Sequence, residues 1–374
     1  MSAAIVAQVI RKEIAALSAY HVQDAAGYIK LDAMENPFAL PAALRQGLAD
    51  HLASAAINRY PDPAAADLKA ALRRAMNIPT HLDILLGNGS DEIIQMLAIA
   101  CGKPGAKPGA KPGAKLLSVE PAFVMFKMIA TFCAMDYVGV PLKSADFSLD
   151  EAAMLAAIEE HQPALTFLAY PNNPTGNLFD AAVVRNIIRA SPGLVVIDEA
   201  YFAFSSGSFL AEIDQYPNAV LMRTVSKLGL AGARLGMLIG ASNWLSQIDK
   251  VRLPYNINSF TQSAATYLLD HAEEFTRQTT VLVAERVLMA ERLAALFARH
   301  PQAAQFPSEA NFILIRVPNA AHVFADLKAR KILVKNTSQS HALLHDTLRI
   351  TIGSPDENAA FLAALTDILE PRHA

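Results

Sequence analysis

The chain has 374 residues, 53% of them hydrophobic and 18% charged, with a formal net charge of −3. That length suits about two domains around a large core, and the composition excludes a disordered chain. The missing basic excess excludes a nucleic-acid partner, and no uncharged apolar run approaches the roughly 20 residues of a membrane span.

The first fifty or so residues carry helix and loop signals. Their opening stretch, "MSAAIVAQVIRKE", sets its apolar residues before its charges, the reverse of a secretory signal, so a cytoplasmic protein is expected. The two cysteines, Cys101 and Cys133, lie in apolar surroundings without metal-ligand spacing; free thiols and no metal are expected. "GNGSDEIIQML" (87–97) places two glycines and a serine before a helix. Two readings stay open there: an anion cup of orphan N–H groups, or an ordinary N-cap by Ser90 or Asp91. The segment is neither a Walker A loop nor a G-x-G-x-x-G dinucleotide fingerprint, which disfavours a nicotinamide oxidoreductase. "GKPGAKPGAKPGAK" (102–115) repeats KPGA three times and reads as a surface loop of Pro-Gly turns, with a cationic handle as the alternative.

Continuous apolar runs at 115–120, 135–140, 164–170, 193–200, 219–224 and 235–240 predict strands buried on both faces. Helical patterns at 150–161 and 180–190 lie between them, so the expected fold is an open α/β sheet covered by helices. Beyond about residue 260 come long helices and short strands at 311–317, 332–336 and 348–353, which predict a second, smaller α+β domain. The expected division is 1–45 as an N-terminal segment, 46–260 as the large domain and 261–374 as the small one.

In an open α/β sheet, ligands sit outside the carboxyl ends of the strands. Strong polar residues fall there: Asn173 in "YPNNPTG", Asp198 and Tyr201 in "VVIDEAY", and Lys227 in "RTVSKLGLAGARLG". Each alone could be a loop residue making turn hydrogen bonds; four at one edge point to chemistry. A lysine nucleophile, an aspartate for a pyridinium nitrogen and a phosphate cup with Ser226 and Arg234 describe pyridoxal phosphate.

These motifs, with "GNGSDE" and "LRITIG", resemble the ordered set of fold-type I, pyridoxal-phosphate-dependent aminotransferases over roughly residues 20–353. "AYHVQDAAGYIKLDAMENPF" (19–38), "NRYPDP" (58–63) and the Leu-Ala-Gly between Lys227 and Arg234 resemble the histidinol-phosphate aminotransferase group within it. The resemblance implies a mostly parallel, seven-stranded-type large-domain sheet and pyridoxal 5′-phosphate as cofactor. It implies that Lys227 forms the Schiff base and then moves a proton beside the substrate α-carbon. Asp198 would keep the pyridine nitrogen protonated, while Tyr201 and Asn173 hydrogen-bond the phenolic oxygen. Phe123 would stack on the ring, although plain core packing is the commoner explanation of a lone Phe. Gly89, Ser90 and Asp91 would meet the phosphate, with N–H groups of Gly89 and Ser90 as donors, alongside the Ser226 hydroxyl and a forked pair from Arg234. Tyr60 matches a residue reaching the site from a neighbouring subunit, which implies a homodimer with a shared site and residues 1–45 near the small domain or the partner. A tyrosine ordered by Pro61 is the alternative.

On the substrate side the resemblance implies that Arg349 takes the anion of either substrate, the phosphate of histidinol phosphate or a carboxylate of glutamate or 2-oxoglutarate. Tyr20 and Asn36 would close over substrate. Lys335 stands where the group often carries a second arginine, keeping the charge without the fork. The implied activity is transamination of L-histidinol phosphate with 2-oxoglutarate in L-histidine biosynthesis. The alternatives are an aromatic aminotransferase, a threonine-phosphate decarboxylase, or a non-catalytic pyridoxal-phosphate-binding regulator, whose usual preceding DNA-binding domain has no room in residues 1–45.

Overall fold

The computed structural model describes residues 2–19, 23–102 and 114–370. Tyr20 and residues 103–113 of the KPGA repeat (103–114) lie outside the described residues. Strands β1 (Ile29–Leu31), β2 (Asp83–Asn88), β3 (Lys115–Glu120), β4 (Asp136–Pro141), β5 (Leu165–Ala169) and β6 (Leu194–Asp198) precede β7 (Ala219–Thr224) and β8 (Leu235–Gly240). Then come β9 (Ala304–Gln305), β10 (Phe312–Arg316), β11 (Ile332–Asn336) and β12 (Thr347–Thr351). Helices α1 (Ser2–Val9), α2 (Lys12–Ala15), α3 (Ala42–Ala53), α4 (Ala66–Met76), α5 (Gly89–Cys101), α6 (Val124–Phe132) and α7 (Glu151–His161) are followed by α8 (Ala181–Ala190) and α9 (Ser242–Ile248). The carboxyl third adds α10 (Ser259–Leu269), α11 (Ala272–Phe297), α12 (Ala320–Ala329) and α13 (Pro355–Leu369).

Among the described residues the strands form two sheets. The larger has seven strands in the order β2-β8-β7-β6-β5-β3-β4. Its pairs are parallel except where β8 meets β7 and β2, so β8 alone runs against the rest. Successive side chains in a strand point to opposite faces. Val195 and Ile197 of β6 accordingly enter one core, and Leu194 and Val196 enter the other. Helices cover both faces, which is why these strands read as unbroken apolar runs. The caps fit the sequence as well: Asp150 accepts from Ala153 N at the start of α7, and Asp180 from Ala182 N at the start of α8.

The smaller sheet has the order β1-β11-β12-β10-β9, and its core gathers Leu31, Phe312 and Phe361. The N-terminal strand β1 pairs in parallel with β11, so this sheet joins both ends of the chain. Helix α10 turns the other way, burying Ala265 and Leu268 in a core of the large sheet. Helix α13 opens on a capping box between Ser354 and Glu357 with a proline in its first turn.

Candidate active site

Strand direction gathers the site. Because β8 is antiparallel to both its neighbours, β2 runs the same way as β7, and the start of α5 falls at the edge where β3, β5, β6 and β7 end. Arg234 enters β8 at that same edge. A cavity of about 210 Å³ lies there, lined among others by Ser90, Asp91, Phe123, Asn173, Asp198, Tyr201, Ser226, Lys227 and Arg234. Nine predicted residues, drawn from six strand ends, thus meet around one space. Their order along the sheet edge sets the hydroxyl and guanidinium groups at one end and Asp198 and Asn173 nearer the middle.

Lys227 Nζ donates to the Ala33 carbonyl at 3.3 Å. Burial, then the positive field of Arg349, brings its ammonium down to about 8. Asp198 is the last residue of β6 and is 5% exposed. Burial pushes its carboxyl up to about 7, against the opposing pull of the hydrogen bond from Ala200 N at 3.0 Å. Tyr201 is buried edge-on against Phe312, with ring centroids 5.2 Å apart. Burial raises its hydroxyl as well, so it stays a neutral donor. Asn173 accepts from Arg349 Nη1 at 2.6 Å, which fixes the amide's orientation and leaves Nδ2 as the atom it can offer to the cavity. Arg349 Nη2 also donates to the Asp32 carbonyl at 2.9 Å, and its guanidinium lies 5.4 Å from the Phe312 ring centroid.

The far end is built for an anion. Neither Ser90 nor Asp91 caps α5; the N-cap is Asn88, which makes no side-chain cap bond. The first-turn donors beyond it therefore face the cavity edge without a side-chain acceptor from the cap. Gly89 corrects the expected donor role, because its N–H is spent on the Arg234 carbonyl at 2.7 Å. What Gly89 supplies is space. It has φ of +76°, and a Cβ there would stand 2.5 Å from Arg234 Nη2. The Arg234 guanidinium reaches Asp91 Oδ2 at 3.6 Å, and Asp91 Oδ1 is buried with no hydrogen-bond partner among the described residues. Ser226 Oγ lies 2.9 Å from Thr224 Oγ1, which in turn donates to the Leu235 carbonyl.

Of the described residues expected at the site, five do not line the cavity: Gly89, Arg349, which stands behind Asn173, and Tyr60, Lys335 and Asn36. Tyr60 is 80% exposed and stacked on Tyr255 at 4.4 Å. Lys335 sits on β11 directly opposite Arg349 on β12. Asn36 is engaged with the protein itself: its Nδ2 donates to Leu228 O and Gln278 Oε1, and its Oδ1 accepts from Phe38 N, so both amide hydrogens are already used.

The sequence model of the family described as Aminotransferase class I and II matches residues 26–365. The chain belongs to that family. Histidinol-phosphate aminotransferase 2 of Cupriavidus pinatubonensis is 50% identical over 371 residues, covering 98% of each chain. The histidinol-phosphate aminotransferase of Chromobacterium violaceum is 53% identical over 360 residues, covering 96% of this chain and 98% of that one. Among solved structures, the histidinol-phosphate aminotransferase of Sinorhizobium meliloti in complex with pyridoxal-5′-phosphate has a TM-score of 0.81 at 23% identity. It covers 96% of this chain and 97% of its own, a likeness of fold.

Two polar lining residues of this aminotransferase escaped the sequence reading. Thr224 ends β7 two residues before Ser226, and a hydroxyl at a strand's carboxyl end was the available signal. Glu35 lines the cavity beside Met34 and is ion-paired with Lys30; its carboxylate bears on Lys227. The Ala33 carbonyl that meets Lys227 has no sequence signal, since every residue carries a carbonyl.

Proposed function

We propose that this aminotransferase moves an amino group between L-histidinol phosphate and 2-oxoglutarate, giving imidazole-acetol phosphate and L-glutamate, a step of L-histidine biosynthesis, with pyridoxal 5′-phosphate as cofactor. The observation that carries the reaction class is one cavity holding a depressed lysine, a buried aspartate at a strand end and an anion cup. The substrate follows from the curated relatives, which carry that name at about half identity over nearly the full length.

The donor set fits the cofactor. Ser226 Oγ, Arg234 and the uncapped first turn of α5 suit a phosphate monoester, and the room left by Gly89 is what admits the Arg234 fork. Asp198 would face the ring nitrogen, a cation there relieving the cost of its buried charge. Asn173 Nδ2 and the Tyr201 hydroxyl would donate to the ring oxygen, and Phe123 would cover a ring face. When bound, the cofactor supplies an aldehyde that accepts the amino group and a ring that withdraws electrons from the substrate α-carbon.

The chain's own residues do the rest. With its ammonium near 8, Lys227 is neutral in roughly one molecule in ten at pH 7, far more than an unperturbed lysine. Its Nζ can therefore take the proton from the substrate α-carbon. Arg349, oriented by Asn173 and the Asp32 carbonyl, would hold the substrate's anionic end, with Lys335 across the strand pair adding charge. A homodimer is part of the proposal, since Tyr60 lies exposed where a second subunit could receive it. A reducing, cytoplasmic setting suits Cys101 and Cys133, both free.

A panel of amines added to the cofactor-loaded protein tests the substrate. L-Histidinol phosphate and L-glutamate should each convert the visible absorbance to that of the aminated cofactor. If phenylalanine or threonine phosphate did so and histidinol phosphate did not, the substrate assignment would be wrong and the class would stand.

A further inference from the structure

Asn36 lies three residues beyond Ala33, whose carbonyl receives Lys227 Nζ. Its Nδ2 donates to the carbonyl of Leu228, the residue next to the lysine, at 3.0 Å, and to Gln278 Oε1 on α11 at 2.8 Å. Its Oδ1 accepts from Phe38 N at 2.9 Å. Both amide hydrogens and the oxygen are thus used, and only one orientation of the amide satisfies all three contacts. Gln278 is 1% exposed and is itself oriented, because its Nε2 donates to Glu274 Oε1 at 2.7 Å. The chain of donors runs from Asn36 through Gln278 to a carboxylate, so neither amide can flip without setting oxygen against oxygen. The turn it grips is shaped for close approach: Gly229 has φ of +118°, and a Cβ there would come within 3.0 Å of Asn36 Nδ2.

We propose that Asn36 is a positioning residue for transamination: its carboxamide clamps the lysine-bearing turn to the N-terminal segment and to α11, and so fixes where Lys227 Nζ stands in the cavity. This rests on Lys227 being the reactive amine. Lys227 is the middle residue of a 3-10 stretch, Ser226–Leu228, capped by Gly229 and too short to hold its own geometry through helical hydrogen bonds. Two tethers from one segment hold it, the Ala33 carbonyl on the amine itself and the Asn36 amide on the next peptide. The groups that set the lysine's protonation come from several elements: Arg349 on β12, Asp91 on α5, Asp198 on β6, Arg234 before β8, and Glu35 beside Asn36. A small displacement of the turn changes all of those distances at once.

The test uses the cofactor-loaded dimer or monomer as purified, with Asn36→Ala and, separately, Gln278→Met; neither substitution changes charge. Three readouts apply: the split between kcat and KM for L-glutamate, the thermal midpoint, and the pH titration of the cofactor's visible absorbance, which follows the proton on the Lys227 nitrogen. Asn36→Ala should lower kcat about ten-fold with KM within about two-fold, and move the absorbance midpoint up by about one unit as Nζ leaves the buried position facing Arg349 that depresses it. Gln278→Met, which touches nothing in the cavity, should move both in the same direction by less, and carries the test if Asn36→Ala does not fold. An unmoved absorbance midpoint in folded protein overturns the proposal, whether or not kcat falls. Lys227→Ala keeps the two assignments apart: if that variant retained turnover, the lysine assignment would be the one to fail.

Discussion

Asp198 ends its strand with a carboxylate that burial holds near 7, and the sign of that shift yields a test in cofactor-free protein. A carboxyl raised above its unfolded value of 3.8 binds its proton more tightly in the native state. The penalty for the ionised form is absent below about pH 4, grows as pH rises toward 7 and is constant above. Asp198→Asn keeps the acceptor for Ala200 N and removes the charge. The variant should therefore be more stable than the parent at pH 8, by up to about 4 kcal/mol, and the gap should close between pH 7 and 4. Thermal midpoints at four pH values measure it; a gap that did not change with pH would deny the carboxylate its buried charge. In the loaded enzyme the same substitution should lower kcat by about 10²–10³, because the electrostatic partner is lost. Gly89→Ala is the companion case at the anion end. Its Cβ would meet Arg234 Nη2 at 2.5 Å in a backbone with φ of +76°, so cofactor Kd should rise about ten-fold or more by fluorescence titration.

The elements that place these residues are locked to one another behind the site. Arg223 and Glu199 are both buried where β7 and β6 end, one residue from Thr224 and from Asp198. Arg223 Nε and Nη2 donate to Glu199 Oε2 at 3.0 and 2.8 Å, Ser208 and Phe209 N complete the carboxylate, and the guanidinium lies 4.3 Å from the Phe202 centroid. Removing one partner strands a buried charge, so Arg223→Met should cost about 3–5 kcal/mol, and Arg223→Met with Glu199→Leu clearly less. Denaturant midpoints of the two variants decide the order. The pair also marks how far sequence carries. Apolar runs disclosed β3 and β5 through β8 because both faces of those strands are buried, and the edge strand β4 by a shorter run that is only partly buried. They could not disclose that β8 runs backwards, since burial is blind to direction. The edge strand β2 was missed because its ends, Asp83 and Asn88, are exposed and its apolar stretch is short before the glycines of α5 begin. Asp198, Asn173, Lys227 and Arg234 were legible as polar residues ending or entering apolar runs. Asn36 was legible only as a resemblance, and its contacts to the lysine turn and to α11 were not, because those partners lie 192 and 242 residues away.

At the scale of the whole molecule, the question is which chain completes which cavity. Within one chain Tyr60 does not line the site and is stacked on Tyr255, and other apolar side chains close to these two in sequence are exposed: Ile57 is 73% exposed, Leu253 70% and Phe260 51%. Exposed apolar surface of this kind is characteristic of an interface, and a twofold pairing would offer each subunit's Tyr60 to the other's anion cup. Single variants cannot separate that arrangement from a contact within one chain, but a mixture can. Lys227→Ala and Tyr60→Ala should each be nearly inactive alone. In a mixed dimer, one cavity keeps Lys227 and receives the intact Tyr60 of the lysine-deficient subunit. Random mixing makes half the dimers mixed with one complete site each, so activity should recover to about a quarter of the wild-type value. If Tyr60 instead served the cavity of its own chain, no combination would restore a complete site, and unfolding and refolding the two variants together would leave the mixture as inactive as its parts.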